Sequence, residues 1–110
     1  MNSREKGNIA ENQAIEFLET QNFKIIDRNF YSCFGEIDII AKKDNILHFV
    51  EVKSGKNFQS IYNVTPAKLK KIIKTLTFYM KKNQLNSPYQ IDVITIDNGE
   101  LNFIKNVSFF

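Results

Sequence analysis

Three β-type runs follow one another without an intervening helix in the first half of this 110-residue chain. They cover residues 23–31, 37–41 and 46–52, which are rich in the β-branched and aromatic residues that favour strands. Asp44-Asn45 between the second and third runs is a turn signal, and the short gap predicts an antiparallel hairpin there. The first half of the chain therefore predicts a sheet.

Two stretches of helical periodicity flank this strand region. In residues 8–21 the apolar positions recur at offsets of four, seven and eight, at Ala10, Ala14, Phe17 and Leu18. Residues 65–82 keep the same kind of spacing, and Thr65-Pro66 can supply the cap and first turn. We predict two helices, each with one face on a core.

The end of the chain predicts a second hairpin. Residues 91–96 have strand character, Asn98-Gly99 is a strong hairpin turn, and residues 101–104 complete the pair. The predicted order is α-β-β-β-α-β-β, with polar loop at residues 55–63. This is an α/β fold with a central mixed sheet flanked by helices, in a single domain that spans residues 1–110.

Composition excludes several classes of protein. Apolar runs such as Ile39-Ile40-Ala41 are far shorter than the ~20 residues of a membrane span. The polar N-terminus carries no apolar segment of the kind found in secretory signals. Cys33 is a single cysteine, so no internal disulfide can form, and with only His48 beside it there is no zinc cluster. We expect a soluble cytoplasmic protein that does not enter the membrane.

Charge is distributed unevenly along the chain. Residues 1–55 hold seven Lys/Arg against nine Asp/Glu, whereas residues 56–110 hold eight against three. A basic half beside an acidic cluster suits a metal enzyme that binds phosphate, because lysines attract the nucleic-acid backbone while carboxylates hold the cation. Solvated surface lysines explain the basic half equally well.

Three charged side chains in the strand region carry the strongest chemical signal. Glu51 and Lys53 are two apart on one strand and share a face, while Val52 turns toward the apolar layer. Asp38, with Glu36 two residues before it, lies across the predicted hairpin and can come close to Glu51. Asp38 and Glu51 could then share one Mg²⁺ or Mn²⁺ ion, and Lys53 could orient water or neutralise a phosphate.

A structural explanation competes with this one. Glu and Lys at strand ends commonly face solvent or form ion pairs worth about 0–1 kcal/mol, so the Glu-Val-Lys triplet alone favours it. The context favours a site, because Asp38 and Glu51 interrupt runs that are otherwise apolar.

Other charged residues have weaker signals. Glu11 borders the buried stripe of the first helix, and it can reach toward the sheet or remain an exposed acid near the helix N-terminus. Lys68 and Lys71, one turn apart, are our first choice for DNA contacts, although they can also be part of a solvated helix face. His48 is assigned no catalytic role, and Asp92 is assigned a strand-end hydrogen bond before metal binding.

These residues resemble the YraN family of small bacterial endonuclease-like proteins, which are similar to archaeal Holliday junction resolvases in the PD-(D/E)xK superfamily. The resemblance covers nearly the whole chain and is most specific in residues 35–41 and 49–53. It implies a restriction-endonuclease-like core. It also implies that Asp38 is the first metal-binding acid, Glu51 and Lys53 the acid-x-lysine pair, and Glu11 an auxiliary acid, with Glu36 matching a family glutamate.

Two hypotheses of different classes follow. The first is a Mg²⁺-dependent endonuclease-like hydrolase that cuts DNA, branched or single-stranded, in recombination or repair. The second is a non-catalytic DNA-binding or scaffold module, and binding without turnover would select it. A domain this small covers little DNA, so a homodimer, or a helicase-like or recombination partner protein, would make physical sense.

Overall fold

The computed structural model describes residues 2–56 and 59–107. It confirms the predicted order and the α/β class, with these elements: α1 (Ser3–Thr20), β1 (Lys24–Ser32), β2 (Gly35–Lys43), β3 (Ile46–Gly55), a 3-10 helix (Ser60–Asn63), α2 (Pro66–Lys82), β4 (Tyr89–Asp97) and β5 (Glu100–Ile104). No helix in these ranges is long and apolar enough to cross a membrane.

The strand bounds differ from the prediction by up to three residues, and two larger differences have local reasons. Helix α1 begins at Ser3 and not at residue 8, because Asn2 caps it and accepts a hydrogen bond from the Glu5 amide at 2.9 Å. The segment predicted as loop contains the 3-10 helix, which Asp97 anchors by accepting from the Ser60 hydroxyl at 2.6 Å. Residues 57 and 58 of that predicted loop lie outside the described residues.

The five strands form one mixed sheet in the order β1-β2-β3-β4-β5. Strands β3 and β4 are parallel, with α2 in the connection between them, and the other neighbouring pairs are antiparallel. Both predicted hairpins are therefore confirmed. The parallel pair at the centre is the buried part of the sheet, as expected when helices cover both faces.

Each helix covers one face of the sheet. On the α1 face, helix residues Ala14 and Leu18 pack with strand residues that include Val50 and Val52. On the α2 face, a larger core unites helix and strand side chains, among them Leu69, Leu76, Ile37, Phe49 and Val93. A fully buried Leu or Phe contributes about 1.5–3 kcal/mol, so these two layers fix the helices against the sheet.

The side chains of strand β2 switch from one face of the sheet to the other at Asp38. Ile37 packs in the core beneath α2, but Ile39 packs in the core beneath α1, so alternate residues do not keep to one face here. The ladder between β2 and β3 ends at the Ile39–Val50 pair, although β2 continues to pair with β1 as far as Gly35. Asp38 therefore lies where β2 separates from β3.

Candidate functional site

A cleft of about 210 Å³ opens on the α2 face at this separation. Its lining combines two acids, three lysines, a glycine and one apolar residue: Glu36, Glu51, Lys53, Lys68, Lys71, Gly35 and Ile72. Four of the residues predicted from the sequence as site or DNA-binding residues thus meet in one cleft, although they come from separate elements.

Strand β3 supplies the acid and the lysine of the Glu-Val-Lys triplet. Glu51 and Lys53 line the cleft together, and their carboxylate Oε1 and ammonium Nζ atoms are 3.2 Å apart. Val52 between them packs in the α1 core, which confirms the predicted alternation. Their side chains are 15% and 26% exposed, respectively, so this ion pair is more shielded from solvent than an ordinary surface pair.

The Asp38 carboxylate reaches into the gap between the two strands. Its Oδ2 atom accepts a hydrogen bond from the Val52 amide at 2.8 Å, in place of a main-chain partner across the ladder. Burial, and next the charge of Glu51, raise the pKa of Asp38 to about 8, with Glu11 and Glu36 adding to the shift and the Val52 amide opposing it. Several acids therefore act on one carboxylate, which is the environment a cation would stabilise.

Asp38 and Glu51 have the donor chemistry of a magnesium site. In the ranges described, no three His, Cys, Asp or Glu side chains come together as a ligand set. Mg²⁺ usually takes one or two protein carboxylates and retains several waters, so a pair of carboxylates fits this ion better than it fits zinc. Burial is the main cause of the raised pKa of Asp38, and a divalent ion would relieve the repulsion from Glu51 that adds to it.

Helix α2 brings positive charge to the cleft. Lys68 and Lys71 line it, and Thr65 caps the helix by accepting from the Lys68 amide. The ammonium of Lys53, together with burial, lowers the pKa of Lys68, which places these two cations near each other. Cations that crowd one another in this way are suited to a phosphate.

Glu11 lies on the other side of β2. Its side chain is 13% exposed and its Oε1 atom is 3.4 Å from Nε of Arg28, so it is not a freely solvated helix acid. It lines a second cleft, of about 250 Å³, that also includes Arg4, Tyr31 and Glu36. Its charge contributes to the raised pKa of Asp38, although the two residues come from different elements.

Glu36 borders both clefts, and its neighbour Tyr31 was not identified from the sequence. Tyr31 is paired with Glu36 across the β1–β2 hairpin, and the Glu36 charge is the main reason that the pKa of Tyr31 is raised. Burial raises the pKa of Glu36, and a hydrogen bond with Tyr31 opposes that shift. The register of the hairpin was the signal that could have found this pair.

His48 and Asp92 form a separate buried cluster. His48 Nδ1 lies 2.5 Å from the Asp92 carboxylate, which also accepts from the Gln90 side chain and the Asn106 amide. The predicted hydrogen-bonding role of Asp92 is confirmed, but its predicted place at a strand end is wrong, because it lies within β4. His48 is a core residue.

The candidate site lies in the part of the chain that matches a known protein family. The sequence model of the uncharacterised protein family UPF0102 matches residues 10–96, a range that contains all six predicted site residues. A UPF0102 protein of Wolinella succinogenes is 52% identical over 106 residues, covering 96% of this chain and 98% of its own. One from Helicobacter hepaticus is 49% identical over 98% of both chains, and one from Campylobacter fetus is 56% identical over 90% of this chain and 89% of its own.

Proposed function

Since the chain belongs to the UPF0102 family, the YraN family that its motifs indicated, we propose that it is a Mg²⁺- or Mn²⁺-dependent phosphodiesterase that hydrolyses DNA. Family membership alone supplies no activity, because function resides in a site and not in a fold. The observation that carries the proposal is that Glu51 and Lys53 share a cleft with two helix lysines, while the charge of Glu51 acts on the Asp38 carboxylate behind them.

The charges of this cleft are divided in the way that phosphodiester hydrolysis requires. Asp38 and Glu51 would hold the cation, and the Val52 amide keeps the Asp38 carboxylate in place. A divalent cation bound there would polarise a phosphoryl oxygen and make its bound water a better nucleophile. Lys68 and Lys71 would bind phosphates of the DNA backbone.

The Lys53 ammonium can interact either with Glu51 or with the substrate. In the protein alone its ammonium contacts Glu51 at 3.2 Å. When Glu51 contributes its charge to a cation, the ammonium is available to neutralise the phosphate or to orient the attacking water. Glu11 would act indirectly, since its charge reaches Asp38 while its carboxylate contacts Arg28.

The test is a cleavage panel of linear, single-stranded, flapped and four-way DNA, run with Mg²⁺, Mn²⁺ or a chelator. We expect metal-dependent cutting by the wild type, and a loss of at least about a hundredfold in Asp38→Asn and Glu51→Gln. Lys53→Ala should keep metal binding, measured by calorimetry, but lose turnover. Glu100→Gln, an exposed acid at the β4–β5 turn, is the matched control and should cut normally.

Two outcomes would contradict the proposal. Metal-independent DNA binding without cutting of any substrate would select the non-catalytic DNA-binding module. Equal calorimetric binding of Mn²⁺ to the wild type and to Asp38→Asn would show that the carboxylate pair is not the metal site.

A further inference from the structure

A groove of about 420 Å³, distinct from both clefts, lies next to the candidate site on the outer side of α2. Aromatic, apolar and basic side chains line it together: Phe34, Phe78, Ile73, Thr77, Lys74 and Lys81. Phe34 and Phe78 are 44% and 42% exposed, which is far more than the core aromatic Phe49. Single exposed apolar residues are common on proteins, but two aromatic rings that share a groove indicate a binding surface.

The groove and the site cleft share no lining residue, but their linings are adjacent at two points. Phe34 is followed directly by Gly35 of the site cleft, and Lys74 is one helical turn beyond Lys71. The hairpin approaches the helix closely there, since a Cβ on Gly35 would lie 3.6 Å from Oγ1 of Thr75. With a φ of 148°, this position also favours glycine over other residues. A strand that leaves the site along α2 therefore enters the groove at once.

The charge of the groove selects among occupants. Helix α2 contains no acidic residue, and Lys74 and Lys81 border the aromatic rings. A second copy of this chain that packed the same face would bring these like charges together, which is unfavourable. The surface is suited to an anionic partner that also presents flat apolar faces.

Unpaired nucleotides have both properties. Every base has a face that stacks on an aromatic ring, and the linking phosphates match lysines beside the rings. Bases inside a duplex are already stacked and cannot reach such rings, so the groove would be of use only where strands are unpaired. An acidic peptide with aromatic side chains satisfies the same charge, but it does not explain why the groove lies next to a cleft lined by three lysines.

We propose that Phe34 and Phe78 stack unpaired bases of the DNA whose backbone enters the Glu51–Lys53 cleft. Single-stranded or flapped DNA is then the preferred substrate class. The inference rests on the proposed function, because the same strand would occupy both surfaces.

The test compares two oligonucleotides of equal length and charge, one with normal bases and one with abasic sites at every position. Affinity is measured by fluorescence anisotropy in EDTA, and a 2-aminopurine base reports stacking. We expect the wild type to bind the normal strand at least about tenfold more tightly. Phe34→Leu with Phe78→Leu should remove this preference and the 2-aminopurine signal, while leaving affinity for the abasic strand unchanged.

Tyr62→Leu is the matched control, because Tyr62 is 78% exposed and lines neither the groove nor the site cleft. It should behave like the wild type. Circular dichroism melting should give the same midpoint for the double variant, since Leu preserves the apolar contact with Phe30 that Phe78 makes at a ring distance of 6.2 Å.

The outcomes separate the two proposals. If the wild type cuts flapped DNA but binds normal and abasic strands equally, the stacking inference is wrong and the proposed function stands. If base-dependent binding is present but no substrate is cut, the stacking inference stands without the hydrolase. Displacement of the normal strand by an acidic aromatic peptide at lower concentration than by a second oligonucleotide would overturn the inference in favour of a protein partner.

Discussion

Two aspartates that interrupt apolar strands have opposite surroundings. Asp92 in β4 is fully buried, and His48, Gln90 and the Asn106 amide all contact its carboxylate. Asp38 in β2 has one backbone partner, the Val52 amide, and burial together with three neighbouring acids outweighs it and raises the pKa to about 8. The two carboxylates therefore differ in how far partners compensate their charge, and an uncompensated carboxylate is a candidate functional group.

The two carboxylates also act on the fold differently. Asp92 lies in β4, and its hydrogen bonds connect this strand to His48 of β3 and to the segment after β5. Asp38 bridges two strands that are separating, and burial and the neighbouring acids disfavour its charge. The charge of one aspartate is compensated by hydrogen bonds, and the charge of the other is opposed by its surroundings.

Matched Asp→Asn changes should give opposite results in the metal-free protein. Asp92→Asn loses charge-assisted hydrogen bonds in the core, so the free energy of unfolding should fall by about 2–3 kcal/mol. Asp38→Asn removes a charge that its surroundings disfavour. At pH 9 the free energy of unfolding of this variant should therefore exceed that of the wild type by at least about 1.4 kcal/mol, the equivalent of one pKa unit. Urea unfolding in EDTA measures both. A loss of stability in both variants would make Asp38 another structural aspartate.

The pH dependence should sharpen this contrast. Because the pKa of Asp38 in the folded protein lies above its ordinary value of 3.8, the folded chain holds this proton when the unfolded chain has lost it. The stabilisation from that proton is complete at acidic pH and is lost as pH rises through about 8. Between pH 5 and 8, the unfolding free energy of wild type relative to Asp38→Asn should fall by up to about 1.4 kcal/mol per pH unit.

Divalent metal supplies the check on this pH effect. Binding requires the carboxylate without its proton, so Mn²⁺ should raise the wild-type melting temperature more at pH 8 than at pH 6. Asp38→Asn should show little shift at either pH, and Asp92→Asn should show a shift similar to that of the wild type. A wild-type shift that is independent of pH would mean that the metal binds elsewhere.

The sequence predicted the parts of this contrast that depend on local pattern. Turn residues and periodicity are local, so the order of elements and the pairing of β2 with β3 followed from them. The switch of β2 side chains from one sheet face to the other at Asp38 did not follow from them, because it requires β1 and β2 to depart from regular strand geometry. In β1, Asn29 lies between Arg28 and Phe30, the partners of Ile39 and Ile37, and its φ of 54° is not revealed by the sequence pattern around it.

Contacts between distant segments were equally out of reach of sequence pattern. Glu11 meets Arg28 from 17 positions away, and Asp92 meets the Asn106 amide from 14 positions away. Each contact depends on how α1 or the end of the chain packs on the sheet. Sequence could nominate Glu11 and Asp92 as unusual, but only the fold supplies the partners that separate their roles.

Charge reversal at the helix lysines tests whether they bind DNA phosphates. Lys68→Glu with Lys71→Glu reverses two charges at the cleft, and DNA affinity at low salt should fall about a hundredfold. The slope of log affinity against log salt should also become shallower by about 1.4–1.8, because fewer counterions are released. Lys42→Glu with Lys105→Glu, on other parts of the chain, is the charge-matched control. An equal slope in both double variants would remove the helix lysines from the interface.

Glu11→Gln should have the smallest effect on activity among these variants. It tests whether the acids that influence Asp38 include Glu11. We expect cleavage to fall about tenfold, the lower end of the effects seen for acids that act through their neighbours. Glu11 also raises the pKa of Asp38, so the acidic limb of the pH–rate profile should move to lower pH in the variant. A purely structural acid would leave that limb in place. Glu16→Gln, at an exposed acid of the same helix, is the control and should leave both rate and profile unchanged. Parental rate and profile in Glu11→Gln would confine the site to Asp38, Glu51 and Lys53.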